Sequence, residues 1–504
     1  MWIDPGYAHS ANERRSGPIS AAEELADSLG DWATPAGPRY RLLADSLNAA
    51  IGSGALARGD RLPSERLFAG ALAVSRSTVV AAYDELRGRG LVTSRRGSGT
   101  VVAAQPTGNP KRADGRVAGG GATALLQRFV DRPRELISLG YAVEDGVPEL
   151  TDELTDLTQT DLPGLLAGGG YHPRGLPVLT SAIAEHYTDS GLPTGAEQVL
   201  VTNGATQAIG LISQLYLRRN TVVVVESPSW PGCLDIFRAS GARLVSVPLD
   251  DEGIRPDALG AALSEQRPDL LFVMPTFHNP TGILMSARRR RQVAELADRF
   301  RVPLLEDIAY LADPGKVLPP IGAYGTGAAE ILTVSGLSKS IWGGLRIGWV
   351  RAPSEIIDRL ARFKALADLG SAVLDQALAA RLLPRVGELA TRRAQVRRRR
   401  LAQVTGLLGE HLPTWRWKVP DGGPALWIEL PDADARVFAT IALRQGVEVV
   451  PGHTTDPSGV HDSYIRLPYN FPHEVLVEVV ERLARSWREF TRHGPLEAAR
   501  LPVV

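Results

Sequence analysis

At 504 residues the chain is too long for one ordinary domain and comfortable for two or three. Apolar residues make up 44% and charged residues 22%, and 56 basic residues balance 56 acidic ones, so the composition is that of a soluble globular protein whose net charge points to no partner. The single cysteine, Cys233, excludes an intrachain disulfide, no run approaches the roughly 18 apolar residues of a membrane helix, and the N-terminus lacks a basic region followed by an apolar core; the expectation is a cytoplasmic protein without membrane contact.

Residues 1–37 are rich in Ala, Ser, Gly and charge without sustained periodicity, and are expected to be a mobile extension. Residues 38–102 are compact and periodic. Tyr40 to Gly52 carries an apolar helical face at Leu43, Leu47, Ala50 and Ile51. Ser64 then caps a short predicted helix running to about Ala71. After a turn, Ser75-Arg76-Ser77-Thr78 opens a second helix that ends at Gly88 and Gly90. Leu91–Ser94, a glycine loop and Thr100–Val102 read as strand, loop and strand, a wing. Helix, helix-turn-helix and wing in so short a span is a DNA-binding arrangement. The module holds ten arginines against five acids, and arginine suits phosphates and guanine edges. The competing reading is a winged helix used for protein contacts.

Arg61-Leu62-Pro63-Ser64-Glu65-Arg66, Val74-Ser75-Arg76-Ser77-Thr78-Val79, Ala82-Tyr83-Asp84-Glu85-Leu86 and Gly90-Leu91-Val92 through Gly97-Ser98-Gly99-Thr100 together resemble the GntR family of bacterial regulators. The resemblance implies contacts to double-stranded operator DNA from Ser64, Arg66, Ser75, Arg76, Ser77, Thr78 and the wing glycine Gly97.

Residues 103–135 turn to Gly, Ala, Pro, Arg and Asp, a composition suited to a linker. From 136 to 504, strand-like runs alternate with longer helical patterns, which indicates a mainly parallel sheet wrapped by helices. The strand-like runs include Gln198–Thr202, Thr221–Glu226, Leu270–Met274, Val302–Glu306 and Ile331–Ser335. The arginine run Arg392, Arg393 and Arg397–Arg400 lies in a helical stretch, Arg385 to Leu408. A solvated helix face accounts for it better than a nucleic-acid contact.

Five segments fall just after predicted strands, where open α/β sheets bind ligands. Asn203-Gly204-Ala205-Thr206-Gln207 opens a helix whose N-terminus favours a phosphate. In Ser227-Pro228-Ser229-Trp230-Pro231-Gly232 the indole of Trp230 suits stacking on a planar ring, although taken alone it reads more readily as core. Asn279, in Phe277-His278-Asn279-Pro280-Thr281-Gly282, is positioned to donate to a phenolate oxygen. His278 beside it suits either a catalytic or a structural role. Asp307, in Glu306-Asp307-Ile308-Ala309-Tyr310, needs a cationic partner once buried, and a protonated pyridine nitrogen is one; Tyr310 reaches the same ring. Only five lysines occur in the chain, and Lys339 sits among small and hydroxyl residues in Ser335-Gly336-Leu337-Ser338-Lys339-Ser340, where a neutral amine meets an aldehyde. Ser338 and Arg346 suit a phosphate.

Together these segments resemble the fold type I aminotransferases from Leu136 to about Arg492. The resemblance implies a mainly parallel seven-stranded sheet with a smaller C-terminal α+β subdomain, and pyridoxal 5′-phosphate as cofactor. Lys339 would bear it as a Schiff base and Asp307 would pair with its ring nitrogen. Asn279 and Tyr310 would bond its phenolic oxygen, and Trp230 would stack on it. Ala205, Thr206, Ser338, Arg346 and Tyr171 of a partner subunit would hold its phosphate. Arg466, in Tyr464-Ile465-Arg466-Leu467, would clamp an amino acid's carboxylate. One departure stands out. Many relatives carry a hydroxyl residue three positions before the lysine, where this chain has Gly336; Ser335 is the nearest substitute.

A GntR-like reader joined to an aminotransferase-like domain in this order resembles the MocR subfamily of regulators. That resemblance implies a homodimer whose large domain senses pyridoxal phosphate or a small amino compound and alters operator binding. The alternative is a transaminase carrying a DNA-binding module, and a third reading is a cofactor-binding scaffold without DNA function.

Overall fold

The computed structural model describes residues 21–29, 32–33, 38–52, 55–57, 59–95, 99–103, 136–310 and 317–493. Helices α1 (Ala21–Ser28), α2 (Arg39–Gly52), α3 (Glu65–Ala71) and α4 (Arg76–Gly88) precede a hairpin of β1 (Val92–Arg95) and β2 (Gly99–Val102). Leu43, Leu47, Phe68, Val79, Tyr83 and Leu86 form their common core. Tyr83 stacks on Phe68 and donates its hydroxyl to the Pro63 carbonyl, 2.9 Å away, which ties α4 to the turn before α3. The segment expected to be a mobile extension contains α1. Its Leu25, with Leu29 and Trp32 after it, joins the same core, so a short amphipathic helix was hidden in an Ala- and Glu-rich stretch.

The large domain is built on an eight-stranded sheet in the order β4-β11-β10-β9-β8-β5-β6-β7. These strands are β4 (Val199–Thr202), β5 (Val222–Ser227), β6 (Arg243–Asp250), β7 (Gly253–Ile254), β8 (Leu270–Val273), β9 (Leu304–Asp307), β10 (Ile331–Gly336) and β11 (Gly348–Arg351); β3 is a two-residue strand, Ile137–Ser138, treated below. The pairs from β6 through β5, β8 and β9 to β10 are parallel, whereas β11 pairs antiparallel with both β10 and β4. Seven of these strands match the expected sheet; the two-residue β7 adds an eighth at the edge. In β5, Val223 and Val225 face one core cluster and Val224 the opposite one, because alternate side chains leave opposite faces and helices cover both.

The long helix Val386–His411 leads to a smaller subdomain of antiparallel β12 (Arg416–Trp417), β13 (Ala425–Glu429), β16 (Tyr464–Pro468) and β15 (Val450–Pro451). A helix over His473–His493 packs against it. The same subdomain takes in β3, which pairs in parallel with β14 (Val447–Glu448). The large domain therefore begins, in sequence, inside its own C-terminal subdomain. Contacts also join this subdomain to the N-terminal module. Glu23 pairs with Arg436 at 3.1 Å, Asp27 with His453 at 3.4 Å, and Arg444 donates to the Ala73 carbonyl at 3.0 Å. No helix among the described residues is long and apolar enough to cross a membrane.

Candidate functional site and nucleic-acid interface

The ends of β5, β8, β9 and β10 converge with the turn before the helix Ala205–Tyr216, and the chemistry-bearing residues stand at that edge. Asp307 closes β9 between β8 and β10. Burial pushes its carboxyl up to about 6, against the pull of the Ala309 amide, which donates to it at 2.9 Å, and of Lys339. Burial pushes the Lys339 amine down to about 8, aided by the positive charge of Arg466 and opposed by Asp307 and Glu144. That amine donates to the Ala142 carbonyl at 3.0 Å and lies 5.8 Å from the Tyr310 ring centroid. Burial likewise raises the Tyr310 hydroxyl to about 12.

Arg466 comes from β16 of the smaller subdomain and donates weakly, at 3.5 Å, to the Gly140 carbonyl. It shares a small pocket with Phe277, His278, Asn279, Tyr310 and the Gly422–Ala425 loop. Arg466 Nε and Asn279 Oδ1 are buried without a hydrogen-bond partner among the described residues. Two orphaned polar atoms and a buried carboxyl beside a lysine of lowered basicity amount to a site prepared for a polar, partly cationic ligand. These residues fit pyridoxal phosphate.

The turn expected to meet a phosphate is as compact. Gly204 has φ +88°, and a Cβ there would meet the Arg346 guanidinium at 3.0 Å. Arg346 itself lies at φ 52° and donates to the Asn203 carbonyl at 2.9 Å. Ala205 and Thr206 start the helix on the far side of this turn. Gly336 pairs with Gly348 across β10 and β11, and its Cβ would come within 2.9 Å of the Ile347 carbonyl. A Cβ on Gly348 would in turn meet Gly204 at 2.6 Å. The three glycines therefore stack, which explains why no hydroxyl residue stands at 336. Ser335 does not substitute for one, because its hydroxyl donates to the Ile308 carbonyl at 3.1 Å.

Trp230 is partly buried and packs, with Ala205, against the core cluster on that face of the sheet. Its indole lies over Gly232, where a Cβ would sit 2.4 Å from the ring. Ser338 is partly exposed. Tyr171 is 72% exposed and joins none of these residues within its own chain. His278 Nδ1 is 2.9 Å from the Thr281 hydroxyl, whereas its Nε2 lies 3.4 Å from the buried Glu226 carboxylate without a hydrogen-bond partner among the described residues.

The arginine run is not simply a solvated face. Arg393 donates to the Ser340 carbonyl at 2.8 Å and to the Ile341 carbonyl at 2.5 Å, immediately after Lys339, and pairs with Glu144. Arg397 reaches Glu144 at 3.3 Å. The i,i+4 spacing of these two arginines was the available signal, but their acidic partner lies about 250 residues earlier and could not be paired from sequence.

In the N-terminal module, Ser64 caps α3 and Ser75 caps α4, with the Thr78 amide donating to the Ser75 hydroxyl at 3.2 Å. Ser75 also contacts the hydroxyls of Ser77 and Thr78, each at 2.8 Å. Arg66 and Arg76 are exposed and carry no ion pair among the described residues, whereas Arg87 and Arg89 are tied to Asp84, Asp45 and Glu85. Arg66, Arg76 and the exposed hydroxyls of Ser64, Ser75 and Ser77 thus stand at the starts of α3 and α4, and Arg39, Arg41 and Arg61 of the same module are exposed as well. Gly97 lies outside the described residues.

Residues 39–102 match the family of bacterial regulatory proteins, gntR family, and residues 168–483 match aminotransferase class I and II. An uncharacterized HTH-type transcriptional regulator of Bacillus subtilis, YisV, is 33% identical over 458 residues, covering 86% of this chain and 92% of that protein. The probable rhizopine catabolism regulatory protein MocR of Rhizobium meliloti is 28% identical, over 75% of this chain and 78% of its own. Among solved structures, LysN, the α-aminoadipate aminotransferase of Thermus thermophilus in complex with N-(5′-phosphopyridoxyl)-L-leucine, superposes with a TM-score of 0.66 at 28% identity, covering 75% of this chain and 97% of that one.

Proposed function

The chain belongs to the MocR-like regulators, in which a gntR-family winged helix-turn-helix precedes a class I and II aminotransferase domain, and from that premise we propose that it is a cytoplasmic, homodimeric transcription regulator whose large domain senses pyridoxal phosphate or an amino compound and alters operator binding. The observation that carries the reading is the enclosed Lys339 amine, brought down to about 8 and flanked by Asp307 and Arg466, on the same chain as a helix-turn-helix with exposed, unpaired Arg66 and Arg76.

Bound pyridoxal phosphate would supply an aldehyde that captures amines and a ring that withdraws electrons. Lys339 would hold the aldehyde carbon covalently, and Asp307 would meet the ring nitrogen. Asn279 and Tyr310 would orient the phenolic edge while Trp230 covers a face. The Gly204–Thr206 turn, Ser338 and Arg346 would bind the phosphate, together with Tyr171 supplied by a second copy. Arg466 would take the effector's carboxylate in a two-pronged grip and in doing so exchange its weak bond to Gly140. On the DNA side, Ser64, Arg66, Ser75, Arg76, Ser77, Thr78 and Gly97 would engage backbone and bases.

The reading is tested by the visible absorbance of purified protein with pyridoxal phosphate, beside a Lys339→Ala variant, and by operator binding with and without candidate amines. A band present in the wild type and absent from the variant, with amine-dependent operator affinity, is the expected result. Steady turnover of an amino donor and a keto acid without any effect on DNA binding would replace the regulator with the enzyme.

A further inference from the structure

Lys364 is fully buried on the helix Ser354–Asp368. Its ammonium pairs at 2.6 Å with Asp368, the last residue of that helix. An acid at a helix C-terminus opposes the helix dipole, so this carboxylate stands where local rules disfavour it. Its remaining bonds show what it organises. One oxygen accepts from both Asn203 Nδ2 at 2.8 Å and Gln207 Nε2 at 2.9 Å, the residues that bracket Gly204, Ala205 and Thr206. Gln207 in turn accepts the Asn203 amide at 2.8 Å, and the Asn203 carbonyl is the atom that receives Arg346.

The other oxygen accepts the Gly370 amide at 3.0 Å and so fixes a turn in which Leu369 lies at φ 57° and Gly370 at φ +140°. A Cβ on Gly370 would meet the His172 backbone at 2.9 Å; the turn is therefore a flat shelf under the loop that carries Tyr171. A single carboxylate thus holds the phosphate turn of one site and the loop expected to reach the other.

We propose that Asp368, ion-paired to Lys364, is a positioning residue that sets the phosphate-binding turn and, through Gly370, the Tyr171 loop. The role stands in place of the hydroxyl residue that the Gly336–Gly348–Gly204 stack excludes. The inference rests on the cofactor reading above, and its test separates the two. Replacing a buried ion pair by apolar residues of similar volume is often neutral for stability, whereas removing one member is costly. The double variant Lys364→Met/Asp368→Leu is therefore the probe, titrated with pyridoxal phosphate and with pyridoxal, which lacks the phosphate.

The expected result is a folded protein with a modestly lowered melting temperature without ligand, unchanged pyridoxal affinity, and a loss of about tenfold or more in pyridoxal phosphate affinity. Equal loss for both ligands, or no loss for either, would overturn the proposal. Should the double variant fail to fold, Asn203→Ala, which leaves the ion pair intact, must show the same phosphate-selective loss; an unselective effect there overturns it too. If wild-type protein gives no absorbance band with either aldehyde, the cofactor reading fails. The thermal shift produced by inorganic phosphate, present in wild type and lost in the variant, then decides the inference by itself.

Discussion

Lys339 and Asp307 are perturbed in opposite directions by the same burial, and each perturbation has a measurable consequence. An amine near 8 is neutral often enough at physiological pH to attack an aldehyde. Capture of pyridoxal should accelerate with rising pH and level off above about 8, as followed by the absorbance rise in stopped flow. For Asp307 the folded value, about 6, lies above the ordinary carboxylate value of 3.8. The folded chain therefore holds that proton more tightly than the unfolded chain. The associated stability is complete below about pH 4 and lost as pH rises to about 6, a cost of order 3 kcal/mol. Without cofactor, Asp307→Asn should flatten this part of the stability–pH profile, read by denaturant melts between pH 4 and 7. Arg466→Lys should weaken a carboxylate effector by about 2 kcal/mol while leaving the cofactor band intact, since it loses a two-pronged grip and keeps the charge; calorimetric titration of the two proteins checks it. Lys339 and Asp307 stand out in the sequence because each lies in a short segment at a strand end, whereas Arg466 lies within β16 and is singled out only by the family resemblance. Glu144, Lys364 and Asp368 were not, because their meaning lies in partners contributed by distant segments.

At the scale of elements, the strand runs predicted from periodicity coincide with β4, β5, β8, β9 and β10 to within a residue or two, since β-branched and leucine-rich stretches between turns leave little choice. What periodicity could not show was the contact between β10, β11 and the turn at Gly204. Gly336, Gly348 and Gly204 occupy three segments; their close approach explains the lack of side chains at Gly336 and Gly348, and the positive φ of Gly204 with Arg346 beside it explains the third. Gly336→Ser, which would supply the hydroxyl that the family resemblance implies at this position, should therefore lower stability by about 1–3 kcal/mol and weaken pyridoxal phosphate binding; thermal melts and an absorbance titration give both readouts. In the reader, Ser75→Ala should cost about 1 kcal/mol of helix capping. Arg76→Ala should weaken operator binding and reduce its salt slope by about one, as expected for one lost phosphate contact, in a titration at several salt concentrations. Helix α1 is not evident from the sequence because eight residues of mixed polarity carry too weak a pattern.

For the whole molecule, regulation requires that effector and operator influence one another equally. Titrated operator DNA should change effector affinity by the same factor by which the effector changes operator affinity; unchanged effector affinity would leave the large domain without a regulatory role. The fold class and the order of the two domains could be read from motifs, but the way the domains touch could not. The Ala73 carbonyl that receives Arg444 belongs to the turn between α3 and α4, and Arg436 and His453, which hold α1, stand in the same smaller subdomain as Arg466. Among the described residues, these contacts fasten the helix-turn-helix module to the smaller subdomain. In a dimer, two recognition helices must sit about 34 Å apart to enter successive major grooves. Were the smaller subdomain to close when Arg466 takes a carboxylate, each helix would swing along an arc, and a few degrees over that lever arm would carry the pair out of step with the double helix. The clamp would then act as a gauge of spacing, reporting the ligand as a change in which operators the dimer is able to span.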